Sequence, residues 1–295
     1  MPAFAALERE LTALCGVRCA AAPAERLGGA GGSQSYHWPC EGGALFVKVG
    51  PRAQRDALEA EAAGLAALAA AHALRVPQLR ASGVTDSDAF LALEWIEAVP
   101  ADRDCERRLG EGLAALHAVT APRFGWDRDN TIGATRQANG WMLEWAEFFR
   151  ERRLRPQLSL AAENGFGATL GERGEQLLES IPLLLAGHTP RPSLLHGDLW
   201  AGNWMAARGG EPVIFDPAVY FGDRETDLAM TRLFGGFGAA FYRAYEAAAP
   251  LGAGASRRSE LYNLYHVLNH ANLFGGGYAR QARAIIDRLL AQLRP

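Results

Sequence analysis

The sequence predicts an α+β chain in two lobes: a small antiparallel sheet of five strands over residues 1–96, then a larger, mainly helical lobe over residues 97–295. Two patterns carry that expectation. Short apolar runs bounded by Gly, Pro and Asp turns crowd the first third, near 33–38, 44–49, 79–85 and 89–96. From about residue 98 apolar side chains recur at helical spacing instead, as in Leu109, Leu113, Leu116 and Val119. At 295 residues the chain is long enough to bury a core in each lobe.

Composition narrows the classes of function. The hydrophobic fraction of 49% and charged fraction of 21% are those of a soluble globular protein. A net charge of −3 with mixed signs gives no electrostatic case for nucleic acid or an anionic membrane. No apolar run is long enough to span a bilayer, and the opening residues lack the pattern of a signal peptide. Cys15, Cys19, Cys40 and Cys105 are few, unevenly spaced and without nearby His partners. They are expected to be reduced thiols of a cytoplasmic protein rather than a disulfide frame or a zinc site.

In chain order, Phe4, Leu7, Leu11 and Leu14 share one helical face, which predicts a helix over 3–15. The Gly-rich segment 28–32 follows, where Gly29, Gly31 and Gly32 let a backbone approach a phosphate with its N–H groups free. A hairpin is expected next, turning at Glu41-Gly42-Gly43, with Lys48 inside its second apolar strand. A long helical pattern over 52–72 carries Glu59 and Glu61, and Pro77 ends it. The run Phe90 to Glu97 begins as a buried strand and turns polar before Pro100. Farther on, segment 124–133 is rich in turn formers and has no periodicity. Trp141, Trp145 and Phe148 fall at i, i+4 and i+7, an aromatic stripe that reads as core, and a charged helix is expected near 171–185.

The densest chemistry lies between Leu194 and Pro217. His196-Gly-Asp198 is followed by Asn203 five residues after the Asp, and Asp216 comes after the apolar strand Pro212 to Phe215. One carboxylate to face a hydroxyl, with an amide and a second carboxylate to hold Mg²⁺ on a triphosphate, is the set that phosphoryl transfer needs. The spacing is that of a kinase catalytic loop and its separate metal-binding Asp. In that context Lys48 would hold the phosphates of ATP, fixed by Glu61 or, two residues away on another helix face, Glu59. The segment Glu94, Trp95 and Ile96 would be the hinge whose backbone meets the adenine edge. Trp200, beside the catalytic Asp, would offer the substrate an apolar face. Asp227 has two readings: a buried carboxylate holding the catalytic loop, or a helix N-terminal Asp favoured by the dipole. His266 and His270 have metal-capable i, i+4 spacing but no third ligand in view, so packed histidines are expected.

Five segments together resemble the fructosamine/ketosamine-3-kinases, relatives of the aminoglycoside phosphotransferases. They are Leu195 to Asn203, Phe124 to Gly133, Asp216 to Glu225, Leu233 to Phe237, and Leu264 to Gly275, so the resemblance spans nearly the whole chain. It implies a protein-kinase-like fold, ATP and Mg²⁺ as cofactors, and phosphorylation of the 3-hydroxyl of a ketosamine. In such proteins the 3-phosphate then eliminates and frees a glycated amine or protein. One departure is that the Gly-rich loop lacks the Cys implicated in redox control in many members. A monomer or weak dimer acting in the cytoplasm is expected. The rival readings are a kinase for aminoglycosides or choline-like amines, and a pseudokinase. Intact Lys48, Asp198, Asn203 and Asp216 count against the pseudokinase.

Overall fold

The computed structural model describes residues 3–30 and 32–293; the predicted phosphate-facing Gly31 lies outside them. Helix α1 (Phe4–Cys15) leads into strands β1 (Glu25–Ala30), β2 (Ser33–Cys40) and β3 (Gly43–Pro51). Helix α2 (Arg55–Ala70) and strands β4 (Leu79–Val84) and β5 (Asp88–Glu94) complete an antiparallel five-stranded sheet of order β1-β2-β3-β5-β4. Strand alternation divides its two faces. Leu45, Val47 and Val49 of β3 pack with Tyr36, Trp38, Phe90 and Ala92 under Leu7 and Leu11 of α1. The intervening Phe46 and Lys48 face the other way, toward α2 and the second lobe.

The second lobe opens with the short strand β6 (Ala98–Val99) and helix α3 (Arg103–Ala118), whose N-cap Asp102 accepts the Cys105 backbone N–H at 2.7 Å. A small hairpin, β7 (Asn130–Ile132) and β8 (Thr135–Gln137), precedes helices α4 (Trp145–Phe148), α5 (Arg155–Ala161) and α6 (Gly167–Leu184). Strand β9 (Ser193–Leu195), the hairpin β10 (Trp204–Ala207) and β11 (Glu211–Ile214), and β12 (Tyr220–Gly222) follow. Helices α7 (Glu225–Leu233), α8 (Ala239–Ala248), α9 (Ala255–Phe274) and α10 (Gly277–Ala291) close the lobe. Its core joins Phe148, Phe149, Leu177, Ile181, Leu195 and Leu268. A second core, with Leu65 of α2, Leu113 of α3, Ile214 and Val219, ties the lobes together. Among the described residues no helix is long and apolar enough to cross a membrane.

Four expectations need correction. Gly28 and Gly29 are not loop: they pair with Ser35 and Gln34 inside β1, past a bulge at Arg26. A Cβ on Gly29 would lie 2.5 Å from the Ser33 carbonyl, so close strand approach, as well as loop freedom, explains a glycine there. Trp141 is not on the helix with Trp145 and Phe148; it stacks on Phe221 and donates to Asp127 from a loop. The hinge strand stops at Glu94, two residues short of the expected limit, so Trp95 and Ile96 lie beyond the sheet. Finally, Cys19 and Cys40 are not thiols but a disulfide, because an antiparallel bridge places their Cα atoms 4.0 Å apart. Their 21-residue separation carries no signal of that pairing. Cys15 and Cys105 are free, as expected.

Candidate active site

Two strand pairings assemble the site. Trp204 pairs with Ile214 in the β10–β11 hairpin, and Phe215 N–H donates to the Asn203 carbonyl at 3.0 Å. Asn203 and Asp216, separated in sequence, therefore meet at the hairpin's open end. Tyr220 of β12 pairs with Leu195 of β9, and Ala218 N–H donates to the His196 carbonyl at 2.9 Å, which sets the 216–219 segment beside the loop that bears Asp198. Gly197 makes this approach possible: its φ is +84°, and a Cβ there would stand 2.0 Å from the Ala218 carbonyl oxygen.

Lys48, 9% exposed, reaches across the cleft from the first lobe. Its Nζ lies 2.8 Å from Glu61 Oε1 and 2.6 Å from Asp216 Oδ1. The two candidate glutamates separate here, since Glu59 pairs with Arg55 on the surface. Burial works against the Lys48 charge, but the two carboxylates outweigh it and raise its pKa, so the ammonium is permanent.

Asn203 Nδ2 donates to the Asp198 carbonyl at 2.8 Å and to Asp198 Oδ2 at 3.2 Å, with the Asp216 carbonyl at 3.4 Å. Burial and the negative charge of Asp216 push the Asp198 carboxyl up to about 7, against the opposing hydrogen bond from Asn203. Asp216 has a φ of +54°, the left-handed region, although it is not glycine. Such a residue stores about 1–3 kcal/mol of strain and persists only where its surroundings hold it.

Asp227 proves to be the buried anchor of the loop that bears Asp198. Its Oδ2 accepts the backbone N–H of His196 at 2.8 Å, and its Oδ1 that of Gly197 at 2.9 Å. His117, which sequence reasoning missed, donates from Nε2 to Asp227 Oδ2 at 3.1 Å and accepts the Tyr245 hydroxyl on Nδ1 at 2.8 Å. A lone His in the last turn of α3 carries no sequence signal of that role. Burial alone would raise the Asp227 pKa, but the hydrogen bonds from His117 and the Gly197 N–H lower it. His196 donates from Nε2 to the Phe215 carbonyl at 2.9 Å, so its Nδ1 is left to accept the Asp198 N–H at 3.3 Å. Burial lowers the His196 pKa and keeps that neutral tautomer.

The other candidates fall around this centre. Glu94 N–H is spent on the Gln78 carbonyl and its carboxylate on Arg75, which leaves only its carbonyl for a hinge contact. Trp95 rests edge-on against His37, with ring centroids 4.4 Å apart. Trp200 is 40% exposed, and its indole folds back over Gly202. His266 is buried, and its carbonyl accepts His270 Nδ1 at 2.8 Å. His188, Asp223 and Glu225 come together within 4.8 Å, but Asp223 serves His188 and Tyr262 while Glu225 serves Arg258.

A family model for fructosamine kinase matches residues 3–292. This chain belongs to the fructosamine kinase family. A protein of Synechocystis sp. named a probable ketoamine kinase is 47% identical over 83% of this chain and 82% of its own. The chloroplastic protein-ribulosamine 3-kinase of Arabidopsis thaliana is 38% identical over 91% and 84%. A crystal structure from Haemophilus somnus 129PT, provisionally assigned as a fructosamine-3-kinase, superimposes with a TM-score of 0.88 at 28% identity, covering 97% of both chains. A thermostable mutant of aminoglycoside phosphotransferase APH(4)-Ia shares the fold, with a TM-score of 0.62 at 18% identity over 97% of this chain and 98% of its own. The fold is thus the two-lobe, kinase-like one.

Proposed function

We propose that this family member is a ketosamine 3-kinase, transferring the terminal phosphoryl group of ATP to the 3-hydroxyl of a sugar-derived ketosamine. The observation that carries the reading is the convergence of Lys48, Asp198, Asn203 and Asp216 at one cleft between the lobes. Asp198 orients the hydroxyl and accepts its proton; a carboxyl poised near 7 suits that exchange at neutral pH. Lys48, braced by Glu61, holds phosphate oxygens. The backbone of β1 and of Gly32 would face the phosphates, and the Glu94 carbonyl, Trp95 and Ile96 would meet the base.

The donor set fits Mg²⁺. Asn203 turns its Nδ2 toward Asp198 and Asp216 and leaves Oδ1 without a hydrogen bond among the described residues. Asp216, 38% exposed at its side chain, offers a carboxylate. All are oxygen ligands, the kind a hard cation takes. When bound with ATP, the cation neutralises charge on the phosphates. Asn203 and Asp216 would hold it.

The acceptor reading draws on relatives named for ketoamines and ribulosamine, and on charge at the cleft. An aminoglycoside is a polycation and needs a dense acidic lining. Here Asp129 is committed to Arg136 and to the Asn139 N–H, and Asp127 to Trp141. Small ketosamines or glycated proteins are therefore the substrates, met in the cytoplasm by a monomer or weak dimer. An ATP-consumption screen over ribulosamine, erythrulosamine, fructosamine and aminoglycosides tests this. Turnover of at least one ketosamine and of no aminoglycoside is expected; the reverse pattern overturns the reading.

A further inference from the structure

The hairpin β7–β8 stands behind the Asp216 turn. Gln137 Nε2 donates to the Ala218 carbonyl at 3.0 Å, and Asn130 Nδ2 to the Val219 carbonyl at 2.9 Å. These are the carbonyls two and three residues past Asp216. The two amides are linked, since Gln137 Nε2 also reaches Asn130 Oδ1 at 2.9 Å.

Their orientation is set from outside. The Tyr265 hydroxyl donates to Gln137 Oε1 at 2.7 Å. Asn139 Nδ2 donates to Asn130 Oδ1 at 2.8 Å, and Arg153 Nη2 donates to Asn139 Oδ1 at 2.7 Å. A guanidinium only donates and a backbone carbonyl only accepts. One direction of hydrogen bonding therefore runs from Arg153 through Asn139 and Asn130 to the Val219 carbonyl. A second runs from Tyr265 through Gln137 to the Ala218 carbonyl. Gln137 is 1% exposed and Asn139 and Arg153 are fully buried, so water cannot substitute for a lost link.

Arg153 is unusual in itself. It rises from the π-helical turn Phe149–Leu154, and among the described residues it forms no ion pair. The rings of Tyr220 at 3.9 Å and Phe148 at 4.7 Å, with the Ala138 and Arg152 carbonyls, take its charge, and its Nε has no partner. A buried cation kept without a carboxylate is a poor device for stability alone.

We propose that Gln137 and Asn130, aimed by Tyr265 and Arg153, are positioning residues that hold the left-handed turn at Asp216 and so set its affinity for the divalent cation. The inference rests on the proposed reading of Asp216 as a metal ligand. The test is Mn²⁺ binding, followed by electron paramagnetic resonance in the presence of ADP, on the full chain. Gln137→Met and Arg153→Met are expected to weaken Mn²⁺ binding about 10–100-fold, the usual effect of removing a group that orients a metal ligand. Gln137→Glu, which keeps the shape but not the N–H for Ala218, weakens it as well.

Arg153→Met strands Asn139 Oδ1 and the Ala138 carbonyl and so lowers stability too, which is why it is read against a variant of matched stability. Weaker Mn²⁺ binding than in a variant destabilised as much is an outcome that a merely structural role does not give. Leu177→Ala, a cavity in the distant lobe core, should lower stability and leave Mn²⁺ affinity unchanged. Unchanged Mn²⁺ affinity in folded Gln137→Met overturns the inference, as does an equal loss in Leu177→Ala. If Asp216→Ala leaves Mn²⁺ binding intact, the metal assignment and this inference fall together. Failure of ketosamine turnover with Mn²⁺ binding intact strikes only the acceptor reading.

Discussion

On the cleft side of the Asp216 turn stand Lys48, Glu61, Asp198 and Asn203; on its buried side stand Asn130, Gln137, Asn139, Arg153 and Tyr265. The cleft side sets two carboxylates, Glu61 and Asp216, on one ammonium, and burial with the negative charge of Asp216 pushes the carboxyl of Asp198 up. The buried side, the Arg153 Nε apart, joins its amides and hydroxyl in directed hydrogen bonds. Strain and charge are concentrated on the cleft side, and satisfied polar groups behind them resist relaxation. Asp198 in the loop and Asp227 on α7 beneath it make the same contrast: burial with a like charge raises the first, while hydrogen-bond donors lower the second.

The largest separation between the two sides should appear in rate. Asp198→Asn is expected to keep fold and ATP binding but lower kcat on the order of 10²–10⁴-fold, because an amide cannot accept the hydroxyl proton. Steady-state kinetics with a matched thermal melt checks both halves. Asp216→Ala should raise the Mg²⁺ concentration for half-activity with little change in melting. Asp227→Ala strands the N–H groups of His196, Gly197 and His117 and should cost about 3 kcal/mol or more, read by denaturant titration. A metal requirement that moved with Asp227 instead would reverse the two roles.

The sequence made the cleft side legible and left the buried side unread. The spacing of Asp198, Asn203 and Asp216 was readable because the proposed roles, one group for a hydroxyl and two for a metal, fall on a loop and a hairpin that fix it. Asn130, Gln137 and Arg153 form a network only after distant segments dock, and polar residues in a turn-rich stretch look alike before that. The Lys48 partner stayed open until α2 packed, which turned Glu61 inward and Glu59 toward Arg55. The Cys19–Cys40 bridge was illegible for a related reason: an isolated strand bridge beyond β2's hairpin creates it.

That disulfide belongs wholly to the first lobe, so its removal gives a third test of the division. Cys19→Ser is expected to lower stability by up to about 3 kcal/mol from loop-closure entropy, with kcat per folded molecule nearly unchanged. Chemical denaturation alongside kinetics measures it, and a kcat loss beyond the folded fraction contradicts the division.

The smallest expected effect is a pH signature in the protein without nucleotide or metal. A raised carboxyl pKa favours the folded state while protonated, so the Asp198 contribution to stability declines as pH climbs from about 4 toward 7. Asp227, with a lowered pKa, contributes stability above the ordinary carboxylate range and loses it as acid protonates the folded state. Asp198→Asn should therefore melt at least about 2 °C above wild type at pH 8, a gap that closes near pH 4. Equal melting of the two proteins at pH 8 would show that Asp198 is not held under charge stress.

The central claim is the transfer of phosphate to the 3-hydroxyl of a ketosamine with Asp198 as proton acceptor. Its most direct measurement is proton–phosphorus correlation NMR on ribulosamine incubated with ATP, Mg²⁺ and either wild type or Asp198→Asn. The account expects a new phosphorus resonance coupled to the proton on C3, followed by slow appearance of inorganic phosphate and free amine, and neither signal with the variant. Phosphate on another hydroxyl, or the same product formed at wild-type rate by Asp198→Asn, would contradict it.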